Sequence, residues 1–143
     1  MTELYHLPAA RSDEQRAYME GLEEQGVCVF CREHQRAKIE IQGEHFYVTR
    51  NLWPYRGTEE HWLIVPNEHV RAFDELPDEA GAELWSIKRR LKGDAAATAT
   101  VERSGDMRYN GGSVAHLHIH FVTLPPEPER TVRFRVSAWG EER

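Results

Sequence analysis

No apolar run in the 143-residue chain approaches the ~20 residues that a bilayer-crossing helix needs, so no membrane partner is expected. The first twenty residues, MTELYHLPAARSDEQRAYME, hold no basic region followed by an apolar one. That argues against a signal peptide and for the cytoplasm. Positive charge is in deficit: 18 Lys and Arg face 24 Asp and Glu, for a net charge of −6. Such a balance argues against a nucleic-acid backbone as partner, yet leaves room for a small anion in a locally positive pocket. Cysteine is scarce, with only Cys28 and Cys31, in CVFC. In a cytoplasmic chain this pair reads as a metal half-site or redox pair rather than a structural disulfide. Internal repeats and low-complexity tracts are absent. What remains is 40% hydrophobic and 29% charged, the composition of one globular domain spanning residues 1–143.

Residues 1–11 read as a loose arm. A helix is expected from Ser12, where Ser12 and Gln15 have capping-box spacing, to Gly26. The alternation in AKIEIQ predicts a strand ending at Gly43, and HFYVTRNLW a second strand stopped by Pro54. HWLIVP reads as a short buried strand. Pro77 suits a first helical position, and Ala80, Leu84, Ile87 and Leu91 form one apolar stripe of a helix ended by Gly93. AATATVER reads as a strand, SGDMRYNGG as loop or strand edge, VAHLHIHFVTL as a strand stopped by Pro125, and TVRFRVSAW as a final strand. The order predicts an α+β fold with a mostly antiparallel sheet and two main helices.

Side chains alternate along a strand, so His116, His118 and His120 are expected on one face and Leu117, Ile119 and Phe121 on the other. A lone histidine on a surface strand needs no explanation. Three in register, beside GGS, suggest chemistry, because imidazole serves as metal ligand, base and nucleophile near neutral pH. CVFC supplies two thiolates, and tetrahedral zinc needs two more ligands. His69, His34 and one member of the triplet are the candidates. A thioredoxin-like redox role is disfavoured because no βαβ pattern surrounds the pair.

HLHIHFV resembles the His-φ-His-φ-His-φ-φ signature of the histidine-triad (HIT) nucleotide hydrolases and transferases, where φ is apolar. HWLIVPNEH is similar to that family's upstream segment, CVFC to the zinc-binding cysteines of many members, and GGSV to the small-residue loop before the triad. NLWPY resembles the branch of diadenosine-tetraphosphate phosphorylases and hydrolases. The likeness spans residues 15 to 124 and implies a HIT-like fold. It further implies that His118 attacks the α-phosphorus to give a nucleotidyl-histidine, with His120 supporting it and His61 near the active site. Ser113 would contact the phosphate, Gly111 and Gly112 would bring backbone N–H groups to it, and Asn51 would meet the ribose. Trp53 and Tyr55 could wall the base pocket. Cys28, Cys31, His69 and His116 would close a structural zinc site, and a homodimer is expected.

Two departures from the family pattern bear on substrate handling. The segment ERSGDMRYN is shortened, with Asn110 as its one Asn, and Gly112 stands where many relatives have a polar side chain. Arg108 would supply a compensating charge. The substrate classes implied are dinucleoside polyphosphates and nucleoside phosphoramidates. Two other readings stay open: a zinc-stabilised nucleotide- or protein-binding module without turnover, and a metal centred on the triplet itself.

Overall fold

The computed structural model describes residues 3–127 and 130–136. Helix α1 spans Asp13–Gln25, capped by Ser12 Oγ accepting from the Gln15 N–H and closed by Gly26 at φ 66°. Strands β1 (Ile39–Gln42), β2 (Phe46–Arg50) and β3 (Glu60–Pro66) follow, then helix α2 (Glu79–Lys92), β4 (Ala97–Glu102), a short helix α3 (Met107–Asn110) and β5 (Ile119–Leu124). The five strands form one sheet in the order β1-β2-β3-β5-β4, with every neighbouring pair antiparallel. The expected α+β architecture is the one observed.

The pleat sorts the buried side chains. Phe46, Val48, Ile64, Ile119 and Phe121 pack with Ala80 and Ile87 of α2 on one face. Tyr47, Leu63 and Val65 pack toward Phe30 and Ile39 on the other. Because both faces are covered, β2 and β3 read as nearly unbroken apolar runs rather than clean alternation. Each such fully buried aliphatic or aromatic side chain stabilises the fold by roughly 1.5–3 kcal/mol. The register pairs Thr49 with Leu63 and Leu63 with His120, so these three share the face away from α2.

Four expectations need correction. The strand read over 114–124 is regular only from Ile119. The ladder with β3 stops at Ile64–Ile119, two residues short of Pro66, which has no N–H to continue it. Upstream, Ala115 N–H donates to Leu4 O (2.6 Å) and Leu117 N–H to Val70 O (2.7 Å). The arm is therefore not loose. Tyr5 is 1% exposed and bridges Val114. Its hydroxyl donates to Val27 O (2.6 Å) and accepts from Val29 N–H (2.9 Å).

The run read as loop or strand edge contains α3, capped by Asp106 accepting from Arg108 N–H and anchored by buried Met107. Thr131–Val136 is no strand: it joins no ladder, and its Arg135 carbonyl accepts from the Arg103 side chain. It runs instead as a strap past Gly57 and Gly111. A Cβ on Gly111, which sits at φ 78°, would stand 2.8 Å from Arg135 O. Residues 137–139 of that expected strand lie outside the described residues.

Tyr5→Phe removes the hydroxyl that ties the arm to two backbone groups. It should lower unfolding free energy by about 1–3 kcal/mol in urea denaturation. An unchanged midpoint would show that the arm is not held there.

Candidate active site

The triplet straddles the end of the sheet. His120 lies in β5, while His116 and His118 lie in the irregular turn before it. All three are buried, at 1%, 7% and 6% exposure, and so is His61 at 4%. Where a ring nitrogen faces a backbone group, that group decides the tautomer. His118 Nδ1 is 2.8 Å from His116 O, and a carbonyl can only accept. Nδ1 therefore carries the proton, and the neutral ring keeps its lone pair on Nε2. His61 Nδ1 accepts from Tyr55 N–H (3.0 Å), so its Nε2–H donates to His120 Nδ1 at 2.8 Å. His120 is left with Nε2–H as a donor.

Aromatic walls dry these rings. Phe30 lies 4.6 Å from His118 between centroids, and Tyr55 stacks on His120 at 5.4 Å and 17°. Burial is the main reason the rings resist protonation. It pushes His118 down to about 4 against the opposing pull of the His116 carbonyl. It also pushes His61 down to about 3, helped by the Arg11 charge. His120 falls well below its ordinary value through burial and then the neighbouring His118. At neutral pH all three are uncharged.

A cavity of about 520 Å³ opens onto His118 and His120 and is lined also by Thr49, Asn51, Ser113 and Gly111. Trp53 and Tyr55 wall it as expected. Asn51 Nδ2 lies 3.1 Å from His61 Nε2, and since both atoms carry hydrogen in this tautomer the approach is a contact, not a hydrogen bond; Asn51 Oδ1 accepts from Trp53 N–H (2.9 Å). Gly112 departs from expectation. It is buried, does not line the cavity, and its N–H donates to Asn110 Oδ1 at 2.9 Å. Asn110 thus shapes the pre-triad loop. Arg108 pairs with Asp106, so its charge is already compensated.

Cys28, Cys31, His69 and His116 form a second group, with ligand atoms all within 4.8 Å of one another. His116 Nε2–H donates to Pro66 O (3.0 Å), which leaves Nδ1 free. That Nδ1 lies 3.5 Å from Cys28 Sγ, 3.8 Å from Cys31 Sγ and 3.1 Å from His69 Nδ1. Cys31 Sγ is 3.3 Å from His69 Nδ1. A tetrahedral zinc with ordinary bond lengths would set sulfur–nitrogen separations of about 3.5 Å and nitrogen–nitrogen of about 3.3 Å. The donors fit. Burial and the neighbouring Cys28 thiol push Cys31 up to about 12, which a bound cation would reverse. Neither His34 nor the triad centre belongs to this group, the one such group among the described residues.

Sequence reasoning missed several lining residues. The Thr49 hydroxyl and the Tyr18 hydroxyl are buried without a hydrogen-bond partner, and both residues line the cavity. Thr49 was reachable, since it sits two residues before Asn51 on the same pleat. Tyr18, on α1, carried no such signal.

The sequence profile of the HIT domain matches residues 32–126. This chain belongs to the HIT domain family. An uncharacterised HIT-like protein of Methanocaldococcus jannaschii is 28% identical over 120 residues, covering 76% of this chain and 87% of that one. The adenosine 5'-monophosphoramidase of Saccharomyces cerevisiae is 28% identical over 112 residues, covering 73% of this chain and 66% of that one. A zinc-bound histidine triad protein of Mycobacterium smegmatis has the same fold, with a TM-score of 0.57 at 23% identity over 78% of this chain and 83% of that one. The HIT chain described here is a HIT-type nucleotide hydrolase by class.

The depressed His61 value has a definite sign. Unfolded, the ring takes a proton as pH falls through about 6.5. Folded, it refuses one until about pH 3. The stability tied to its neutral form is complete above pH 6.5 and drains away as pH falls toward 3. Ring-nitrogen NMR should find His61 neutral at pH 5, with its Nε2 still protonated. Titration near 6.5 would overturn the hydrogen-bond chain.

Proposed function

We propose that this chain cleaves a phosphoanhydride or phosphoramidate bond at the α-phosphate of a nucleotide through a nucleotidyl-His118 intermediate. The observation that supports it most is the His118 Nδ1–H bond to His116 O, which leaves an uncharged Nε2 lone pair at a cavity wall. In the first step Nε2 attacks phosphorus, the N–P bond forms, and the bond to the leaving group breaks with its electron pair, an amine leaving group taking up a proton from solvent. His120 Nε2–H, at the far end of the chain from Tyr55 N–H through His61, donates to a phosphoryl oxygen. In the second step water, or a phosphate acceptor, attacks phosphorus. The N–P pair returns to Nε2 and the water's proton leaves to solvent. Splitting the displacement this way replaces one hard step with two easier ones.

In this reading Ser113 and Gly111 border the phosphate, and Asn51 borders the ribose. Buried and unpartnered, the Thr49 and Tyr18 hydroxyls suit the polar edge of a nucleoside. Dinucleoside polyphosphates and nucleoside phosphoramidates are the substrate classes; the yeast relative's name specifies the latter for that protein. Cys28, Cys31, His69 and His116 would hold zinc. With four protein ligands its contribution is structural, tying the CVFC turn to the catalytic segment. By resemblance, the proposed working unit is a homodimer.

His118→Ala should lower turnover of diadenosine tetraphosphate and of an adenosine phosphoramidate by on the order of a thousandfold or more. Wild-type protein inactive on every nucleotide tested would sink the reading. Tight nucleotide binding with no trapped nucleotidyl-histidine would favour a binding module instead.

Metal analysis should find one zinc per chain in wild type and in His118→Ala, and none in Cys28→Ala, whose melting temperature should fall with it. Loss of the metal in His118→Ala would place the ion at the triad and refute the closed site.

A further inference from the structure

The cavity's charge is opposite to the chain's. The protein carries −6 overall, yet the cavity lining holds Arg11, Arg50, Arg103, Arg133 and Arg135 and no Asp or Glu. Arg50 is neutralised by Glu60. Arg11, Arg103, Arg133 and Arg135 take part in no ion pair among the described residues.

Two of the four are fixed beside the catalytic rings. The Arg11 guanidinium donates to Trp53 O and lies 4.1 Å from the centre of the Tyr55 ring, which itself stacks on His120. Arg103 donates from Nε and Nη2 to Arg135 O at 2.9 and 2.6 Å, pinning the strap over the site. Phe134 of that strap packs on Tyr55 at 5.0 Å between ring centroids. The Arg103 charge is felt by both His118 and His120, and that of Arg11 by His61 and His120. The two arginines also feel each other. Gathering like charges without a counter-charge opposes folding, and an anion placed among them relieves that cost. A guanidinium offers five donors, and each of these has donors left after its backbone contacts.

We propose that Arg11, Arg103, Arg133 and Arg135 form a subsite for a polyanionic leaving group. This makes nucleotides with phosphates beyond the α-position the preferred substrates over phosphoramidates. The proposal rests on the α-phosphate chemistry assigned to His118. As the His118 N–P bond forms, the bond from the α-phosphorus to the bridging oxygen breaks. The electron pair stays on that oxygen, so the departing phosphate gains negative charge. Arginine donors already oriented there stabilise that charge as it develops. A phosphoramidate expels an amine, which gains nothing from four cations. Three of the four arginines lie outside residues 32–126. The subsite is therefore an addition made by the arm and strap, with Arg103 as its one member inside the matched domain.

The test compares kcat/KM for diadenosine tetraphosphate with that for an adenosine phosphoramidate. Wild type should favour the polyphosphate. Arg11→Ala, Arg133→Ala and Arg103→Ala should each cut the ratio of the two by about tenfold or more, with Arg11→Lys falling between. A wild-type preference for the phosphoramidate, or a ratio unmoved by all three changes, overturns the proposal while leaving His118 chemistry standing. Calorimetry with inorganic tripolyphosphate reads the subsite without turnover. Binding weakened about tenfold in the alanine variants supports the subsite even where no nucleotide is cleaved, an outcome that would remove the enzymatic reading alone. No tripolyphosphate binding to wild type overturns the subsite.

Discussion

One hydrogen bond, from His118 Nδ1–H to the carbonyl of His116, decides which nitrogen of a buried ring is nucleophilic. The β3–β5 ladder ends at Ile64–Ile119, just after His118 in the chain. The Pro66 carbonyl accepts from His116 Nε2–H. Two backbone carbonyls thus set the two tautomers. They turn His116 Nδ1 toward the thiols and leave His118 Nε2 toward the cavity. The division of labour between metal group and reactive group follows from those two hydrogen bonds.

The second constraint is dryness. Four histidines at 7% exposure or less would each destabilise the fold if charged. They stay neutral and are satisfied by fixed partners: two carbonyls, one backbone N–H and one ring-to-ring bond. Rigidity and low proton affinity have one cause. A ring held dry between Phe30 and its neighbours is a free nucleophile at neutral pH without needing a base to deprotonate it. The hydrogen-bond chain through His61 supplies direction rather than charge.

Much of this was legible in the sequence where side-chain period and burial agree. Helix α1 and its Ser12 and Gly26 caps, the α2 stripe and the strands β1 to β5 follow from local pattern. So does the meeting of Cys28, Cys31, His69 and His116, through resemblance. The failures share a reason. Placing the His116–His118 turn required knowing where the partner strand ends. Docking of the arm through Tyr5 depends on backbone groups at Val27 and Val29, which carry no side-chain signal. The Gly112 N–H was expected to be open to phosphate, but Asn110 two residues away engages it. Tertiary partners decided each case, and alternation along one segment contains no information about them.

The arm and strap show how a site acquires character from segments that contribute no nucleophile. The five-stranded sheet brings His61 and His120 together, and the turn ahead of β5 adds His118, regardless of what covers them. Yet Tyr5, Arg11 and Tyr18 from one segment, and Arg133 to Arg135 from another, line the cavity, with Arg11 and Phe134 both packed on Tyr55. Gly57 and Gly111 make this arrangement feasible. Each sits at positive φ, and a Cβ would stand 2.8 Å from Arg135 O at Gly111 and 3.1 Å from the Val132 side chain at Gly57. Gly111 admits close passage of a backbone, and Gly57 of side chains, in a segment that brings arginines but no carboxylate. The reactive ring is set by the sheet's end; the charge that surrounds it is set by what the two chain ends lay across it.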